Sequence, residues 1–152
     1  MPPCFLEEMQ QVTAQLIDQA RHIASNNEIY DLDGEHSADN PLLNRIKRSH
    51  EVHDVFRRYM QSDALLDLIK PLPSDSIRLH NSKLNTKAAQ GGSAVHHPTN
   101  PLVDLNRAQT LTGKAGDISL QHVRTLHGSA TNNGDDPRYC YSMLWLPTMP
   151  GL

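Results

Sequence analysis

From Phe5 to Ile23 the apolar residues Phe5, Met9, Val12, Leu16, Ala20 and Ile23 recur at spacings of three and four. On a helix of 3.6 residues per turn they gather into one stripe, so the pattern predicts an amphipathic helix with one buried face, ending at Ser25-Asn26-Asn27. A polar connection through Asp31, Asp33, Gly34 and Asn40 leads to Pro41. A short helix from Leu42 to Arg48 follows in this reading, with Pro41 in its first turn and Arg45, Lys47 and Arg48 toward its carbonyl end. Val52, Val55, Phe56 and Tyr59 predict a helix over Glu51 to Met60. Ser62 then caps a further helix, Ala64 to Lys70, that Pro71 ends.

After Pro71-Leu72-Pro73 the period falls from 3.6 to 2. Ile77, Leu79 and Leu84 flank polar residues as in a strand. Ala88 to Arg107 reads as loop, with Gly91-Gly92, His97-Pro98 and Asn100-Pro101 breaking any period. Alternation returns over Asp117 to His127 and again over Tyr139 to Leu146. The last segment is apolar on both faces, which predicts a place inside a sheet. Helices first and strands afterwards argue an α+β fold rather than alternating βαβ units. The whole chain, 1–152, reads as one domain with a helical section over about 1–72 and a β section over about 75–147.

Composition narrows the partners. The 152 residues carry 14 basic and 17 acidic side chains, a formal net charge of −3, which gives no overall attraction to nucleic acid or anionic lipid. Arg45, Lys47, Arg48, Arg57 and Arg58 are the residues a nucleic-acid module would use, but acids surround them and no aromatic stacking platform accompanies them. No apolar run approaches the ~20 residues of a membrane span. Cys4 and Cys140 lie near opposite ends, without the dense spacing of a disulfide framework. A reducing cytoplasm is the expected location. Aromatic residues make up 5% of the chain, so the core has few large side chains to draw on.

Candidate chemistry concentrates late in the chain. Gly113-Lys114-Ala115-Gly116 runs into the alternating segment that ends in His127-Gly128-Ser129, and Arg138 follows the histidine by eleven positions after the turn Asn132-Asn133-Gly134-Asp135-Asp136-Pro137. A hairpin returning from His127 would bring Arg138 close to it, and an arginine fork suits a carboxylate. Taken singly, Arg138 fits a surface ion pair, Ser129 a turn hydroxyl and Lys47 a solvated helix end better than a ligand site. His50-Glu51-Val52-His53 places its histidines at i and i+3, not the i and i+4 of a zinc-protease helix, and reads as a solvated face. His122, an odd number of residues before His127, would face the other side of the same strand.

Taken in order, Tyr30-Asp31-Leu32, Arg45-Ile46-Lys47, Arg78 through Lys87, Leu111 through Ala130 and Asp136-Pro137-Arg138 resemble successive landmarks of the phytanoyl-CoA dioxygenase family. The resemblance implies a double-stranded β-helix (jelly roll) behind a helical section. It also implies iron(II) held by a His-x-Asp and a distant histidine, with 2-oxoglutarate as cosubstrate for hydroxylation. His127 matches the distant histidine. Arg138 and Ser129 match the pair that takes the far carboxylate of the 2-oxo acid, and Lys47 matches an upstream cosubstrate lysine.

The sequence departs from the family in one respect. A non-haem iron(II) oxygenase needs two histidines and a carboxylate on one face of the metal, and no His-x-Asp or His-x-Glu occurs anywhere in this chain. After Lys87 it reads Gly92-Ser93-Ala94-Val95-His96-His97 and soon reaches Leu111-Thr112-Gly113. The expectation is an internal deletion near Val95 that leaves the jelly roll incomplete and catalysis impaired. A rescue by His96 or His97 with Asp104 is the lesser reading, since adjacent residues of an extended chain point to opposite sides. The alternative function is a non-catalytic shortened isoform that binds a carboxylate or self-associates through exposed sheet edges.

Overall fold

The computed structural model describes residues 1–71, 77–91, 105–122, 124–125 and 127–148. The long amphipathic stripe forms α1, Pro3–Gln19, extended by a 3-10 turn over Ala20–His22, with Met9, Val12, Leu16 and Ala20 buried. Two short strands follow, β1 (Tyr30–Leu32) and β2 (Leu43–Lys47). Three short helices come next: α2 (Ser49–Val52), α3 (Asp54–Met60) and α4 (Asp63–Ile69). The long strands are β3 (Ile77–Lys87) and β4 (Arg138–Pro147). All four strands make one antiparallel sheet in the order β1-β2-β3-β4, so the described architecture is α+β.

One face of the sheet carries the core. Leu43, Ile46 and Leu84 project from the strands onto Met9, Val12 and Leu16 of α1 and Val55, Phe56 and Tyr59 of α3. The scarce aromatics are pooled at this contact. Phe56 and Tyr141 rings lie 5.1 Å apart and Phe5 and Tyr59 5.4 Å apart, both tilted, which suits the ring quadrupoles.

The opposite face is polar. Strand alternation puts Ser82, Leu84 and Thr86 toward the core, so Lys83, Asn85 and Lys87 face outward. Their register partners share that face: Arg45 and Cys140 beside Asn85, Lys47 and Ser142 beside Lys83, Arg138 beside Lys87.

The predicted helix over Leu42 to Arg48 is strand β2 instead. Leu43 and Ile46, three apart, look helical in sequence. They both reach the core because the register shifts, with Asp31 opposite Arg45 but Leu32 opposite Leu43, leaving Asn44 as the extra residue of a bulge. Five residues cannot sustain an isolated helix, whereas pairing to strands on both sides satisfies their backbone. Strand β1 had no alternation long enough to be seen. The predicted helix Glu51 to Met60 is broken at His53, whose backbone is extended (φ −146°, ψ 141°) and whose Nδ1 accepts from Val55 N at 3.2 Å, capping α3. Ser62 does precede α4, but its hydroxyl donates back to Tyr59 O at 2.7 Å rather than accepting from the helix.

No strand forms among the described residues of Asp117 to His127. Ile118 and Leu120 are exposed, and alternation without a partner strand leaves the backbone no ladder to join. The turn before it is well made. Lys114 N donates to Asp117 Oδ2 at 2.7 Å, and the chain's amino group donates to Gly116 O at 2.7 Å, tying this turn to the start of α1. Gly116 has φ +95°, a conformation that strains any other residue, and a Cβ there would press on the Leu6 side chain at 3.3 Å. Among the described residues strand β4 lies at the sheet's end rather than inside it, and Tyr139 and Leu144 are exposed.

Candidate functional site

The site lies where the outer sheet face meets the segment before β4. Arg138, at the first position of β4, directs Nη2 to Ser129 Oγ and to Ala130 O, both at 3.0 Å. Lys87, its partner across the ladder, donates from Nζ to Ala130 O at 2.7 Å and Ser129 O at 3.2 Å. Burial lowers the Lys87 ammonium below the usual lysine range, and the neighbouring Arg138 charge adds to the effect.

The turn below is braced. Asn132 pairs with Gly91, its N donating to Gly91 O at 3.0 Å and its Nδ2 to Ala88 O at 2.9 Å. Gln90 N donates to Gly134 O at 3.0 Å. Gln90, in the left-handed region at φ 51°, turns the chain off the end of β3 to meet this segment.

His127 is exposed, two residues before Ser129, with Nδ1 3.0 Å from Thr125 O. Lys47 is elsewhere. It opposes Lys83, four residues and about 13 Å along β3 from Lys87, and its Nζ donates to Asn27 O at 2.5 Å. The structure therefore brings Arg138 and Ser129 together and keeps Lys47 apart from them. The expected hairpin from His127 to Arg138 is replaced by a braced turn, and the strand beside Arg138 is β3.

The chemistry of the donor set separates the two implied ligands. An arginine, a lysine and a hydroxyl on one corner fit a carboxylate. Iron is different: no group of three His, Cys, Asp or Glu side chains converges among the described residues. These residues do not fit the metal. His96, His97 and Asp104 lie outside the described residues.

Two features escaped the sequence. Lys87 ends a strand whose outward series Lys83, Asn85, Lys87 was legible, but its partner stands 51 positions later. In sequence, His50 fits a solvated face. Its Nδ1 instead lies 2.7 Å from the buried Ser82 Oγ, and Ser82 also meets Ser49 Oγ and accepts from His50 N, each at 3.2 Å. No substrate reaches Ser82, which is 1% exposed, so this serine–histidine contact is structural. Asp31 and Arg45 form an ion pair across β1 and β2 at 2.8 Å. No helix among the described residues is long and apolar enough to cross a membrane, and Cys4 and Cys140 are free and exposed.

A helix-backed antiparallel sheet is compatible with the fold of 2-oxoglutarate oxygenases, and similarity to a known protein points the same way. The probable alpha-ketoglutarate-dependent hypophosphite dioxygenase of Stutzerimonas stutzeri is 24% identical over 188 residues, matching 85% of this chain and 64% of its own length. The chain is thus a distant relative of alpha-ketoglutarate-dependent dioxygenases, and it spans 64% of the length of the relative it matches. No protein-family model matches it. Eighty-five per cent of 152 residues is about 129, so an alignment of 188 positions leaves about 59 without a counterpart in this chain.

Proposed function

We propose that this chain is a shortened 2-oxoglutarate oxygenase of the phytanoyl-CoA dioxygenase kind, with one domain, an incomplete jelly roll and a surviving cosubstrate corner. Its ligand is a small 2-oxo acid held through a carboxylate by Arg138 and Ser129. The observation that carries this is the Arg138 Nη2 contact to Ser129 Oγ at 3.0 Å, made beside a second cation. Full members of such a family hydroxylate C–H bonds with iron(II). Here His127 alone represents the ligand set, Lys47 sits too far along the sheet to share the carboxylate, and hydroxylation is impaired. The unmatched alignment positions support a deletion within the matched region. We place the protein in the cytoplasm, where exposed thiols such as Cys4 and Cys140 stay reduced.

Anaerobic titration with iron(II) and 2-oxoglutarate tests the reading. The expected result is heat of binding for 2-oxoglutarate alone, with no metal-to-ligand absorption band and no succinate formed in air. A clear band would overturn the impairment, and absence of any 2-oxoglutarate binding would overturn the corner. A second reading, a partner-interaction protein, is favoured by the position of β4 at the sheet's end with Tyr139 and Leu144 exposed.

A further inference from the structure

We infer that Lys87 is the positioning residue of the carboxylate corner: it clasps the Ser129–Ala130 backbone and so presents the Ser129 hydroxyl to Arg138. This rests on the reading of Arg138 and Ser129 as a carboxylate site. Ser129 lies outside the named strands, in an isolated bridge rather than a continuous ladder, so few backbone pairings hold its segment. Lys87 adds a restraint. Its Nζ reaches two successive carbonyls, Ser129 O at 3.2 Å and Ala130 O at 2.7 Å, from a stem anchored at the end of an eleven-residue strand. Arg138 reaches the same segment from β4, sharing Ala130 O and adding Ser129 Oγ. The two cations stand opposite each other across the ladder, an arrangement that is unfavourable by itself. Acceptors drawn between them offset that repulsion, and the segment is thereby held in one place. Lys87 then acts on a bound carboxylate through Ser129, not by direct contact.

The test uses the full chain and the variants Lys87→Met, Lys87→Arg, Ser129→Ala and the double variant Lys87→Met/Ser129→Ala. Amide hydrogen exchange over residues 128–134 is read first, without ligand. It is expected to quicken roughly tenfold in Lys87→Met, as local opening becomes easier, and to return toward the parent rate in Lys87→Arg. Unchanged exchange in Lys87→Met would overturn the clasp, whatever the chain binds. Calorimetric 2-oxoglutarate affinity is read second. Lys87→Met and Ser129→Ala should each weaken binding, and the double variant should bind no worse than the weaker single variant, because both remove the same hydroxyl. Additive losses would show Lys87 touching the anion directly and overturn the positioning role. If the parent chain binds no 2-oxoglutarate, the carboxylate reading falls, and the exchange result alone decides the clasp.

Discussion

Lys87 and Arg138 stand directly opposite each other on β3 and β4, and both donate to one carbonyl, that of Ala130, at 2.7 and 3.0 Å. Two side chains from neighbouring strands thus converge on one carbonyl and hold the Ser129–Ala130 segment against the start of β4. In the carboxylate reading proposed above, the fork of Arg138 and the hydroxyl of Ser129 are already side by side before a ligand arrives.

Arg138→Ala is therefore expected to weaken 2-oxoglutarate binding by about 10–100-fold, the equivalent of the ~1.5–3 kcal/mol carried by hydrogen bonds to charged groups. Arg138→Lys should recover little of it, since an ammonium cannot offer two parallel donors. Calorimetry on the three proteins checks this, and equal affinity for the parent and Arg138→Ala would remove the arginine from the site.

Much of the helical half was legible because the α1 stripe runs unbroken through five turns, and such a stripe has one solution. The short elements were not. Leu43 and Ile46 imitate a helix only because Asn44 is absorbed in a bulge, and that bulge exists only against β1. Asp117 to Leu120 imitates a strand, yet nothing pairs with it among the described residues, and sequence alternation carries no information about a partner. At the site, Arg138 and Ser129 lie nine positions apart, and their pairing followed from the family resemblance, whereas the hairpin expected from the turn between them does not form. Lys87 comes from 42 positions before Ser129, across a segment with no period, so sequence pattern could not place it.

The buried seam between α2 and β3 gives a stability prediction. Ser82 Oγ serves Ser49 Oγ, His50 N and His50 Nδ1 at once. Ser82→Ala leaves these groups without it inside a site that water does not reach, so the loss should be about 1–3 kcal/mol, the cost of unsatisfied buried polar groups. A urea midpoint lowered by that amount with unchanged slope is the expected result. A midpoint within error of the parent would mean that the seam rearranges or is hydrated.

Tyr141 sets an alkaline limit. Burial pushes its phenol up to about 12, against the opposing pull of the Ser82 and Ser49 hydroxyls. Below about pH 10 the phenol is protonated whether the chain is folded or not, and the full contribution to stability is present. Between about 10 and 12 the unfolded chain loses this proton while the folded chain keeps it, so stability falls as pH rises through that window. Tyr141→Phe should flatten the fall while preserving the ring contact with Phe56. Denaturant midpoints measured below pH 10 and again at about pH 11 give the comparison, and parallel curves for both proteins would show that another group governs the alkaline limb.

The end position of β4 leads to the last expectation. Its core-facing residues Tyr141, Met143 and Trp145 are packed against the helices, whereas Tyr139 and Leu144 are exposed on a strand ten residues long. A long end strand with apolar exposed side chains is a template for pairing with another chain, and natural end strands commonly carry lysine to prevent it. The parent should therefore show a scattering mass that rises with concentration. Leu144→Lys should hold the mass at one chain with little change in thermal midpoint, because an exposed substitution removes no core contact. A parent that stays at one chain over the same concentrations would eliminate β4 as an association edge and, with it, the observation favouring the partner-interaction reading.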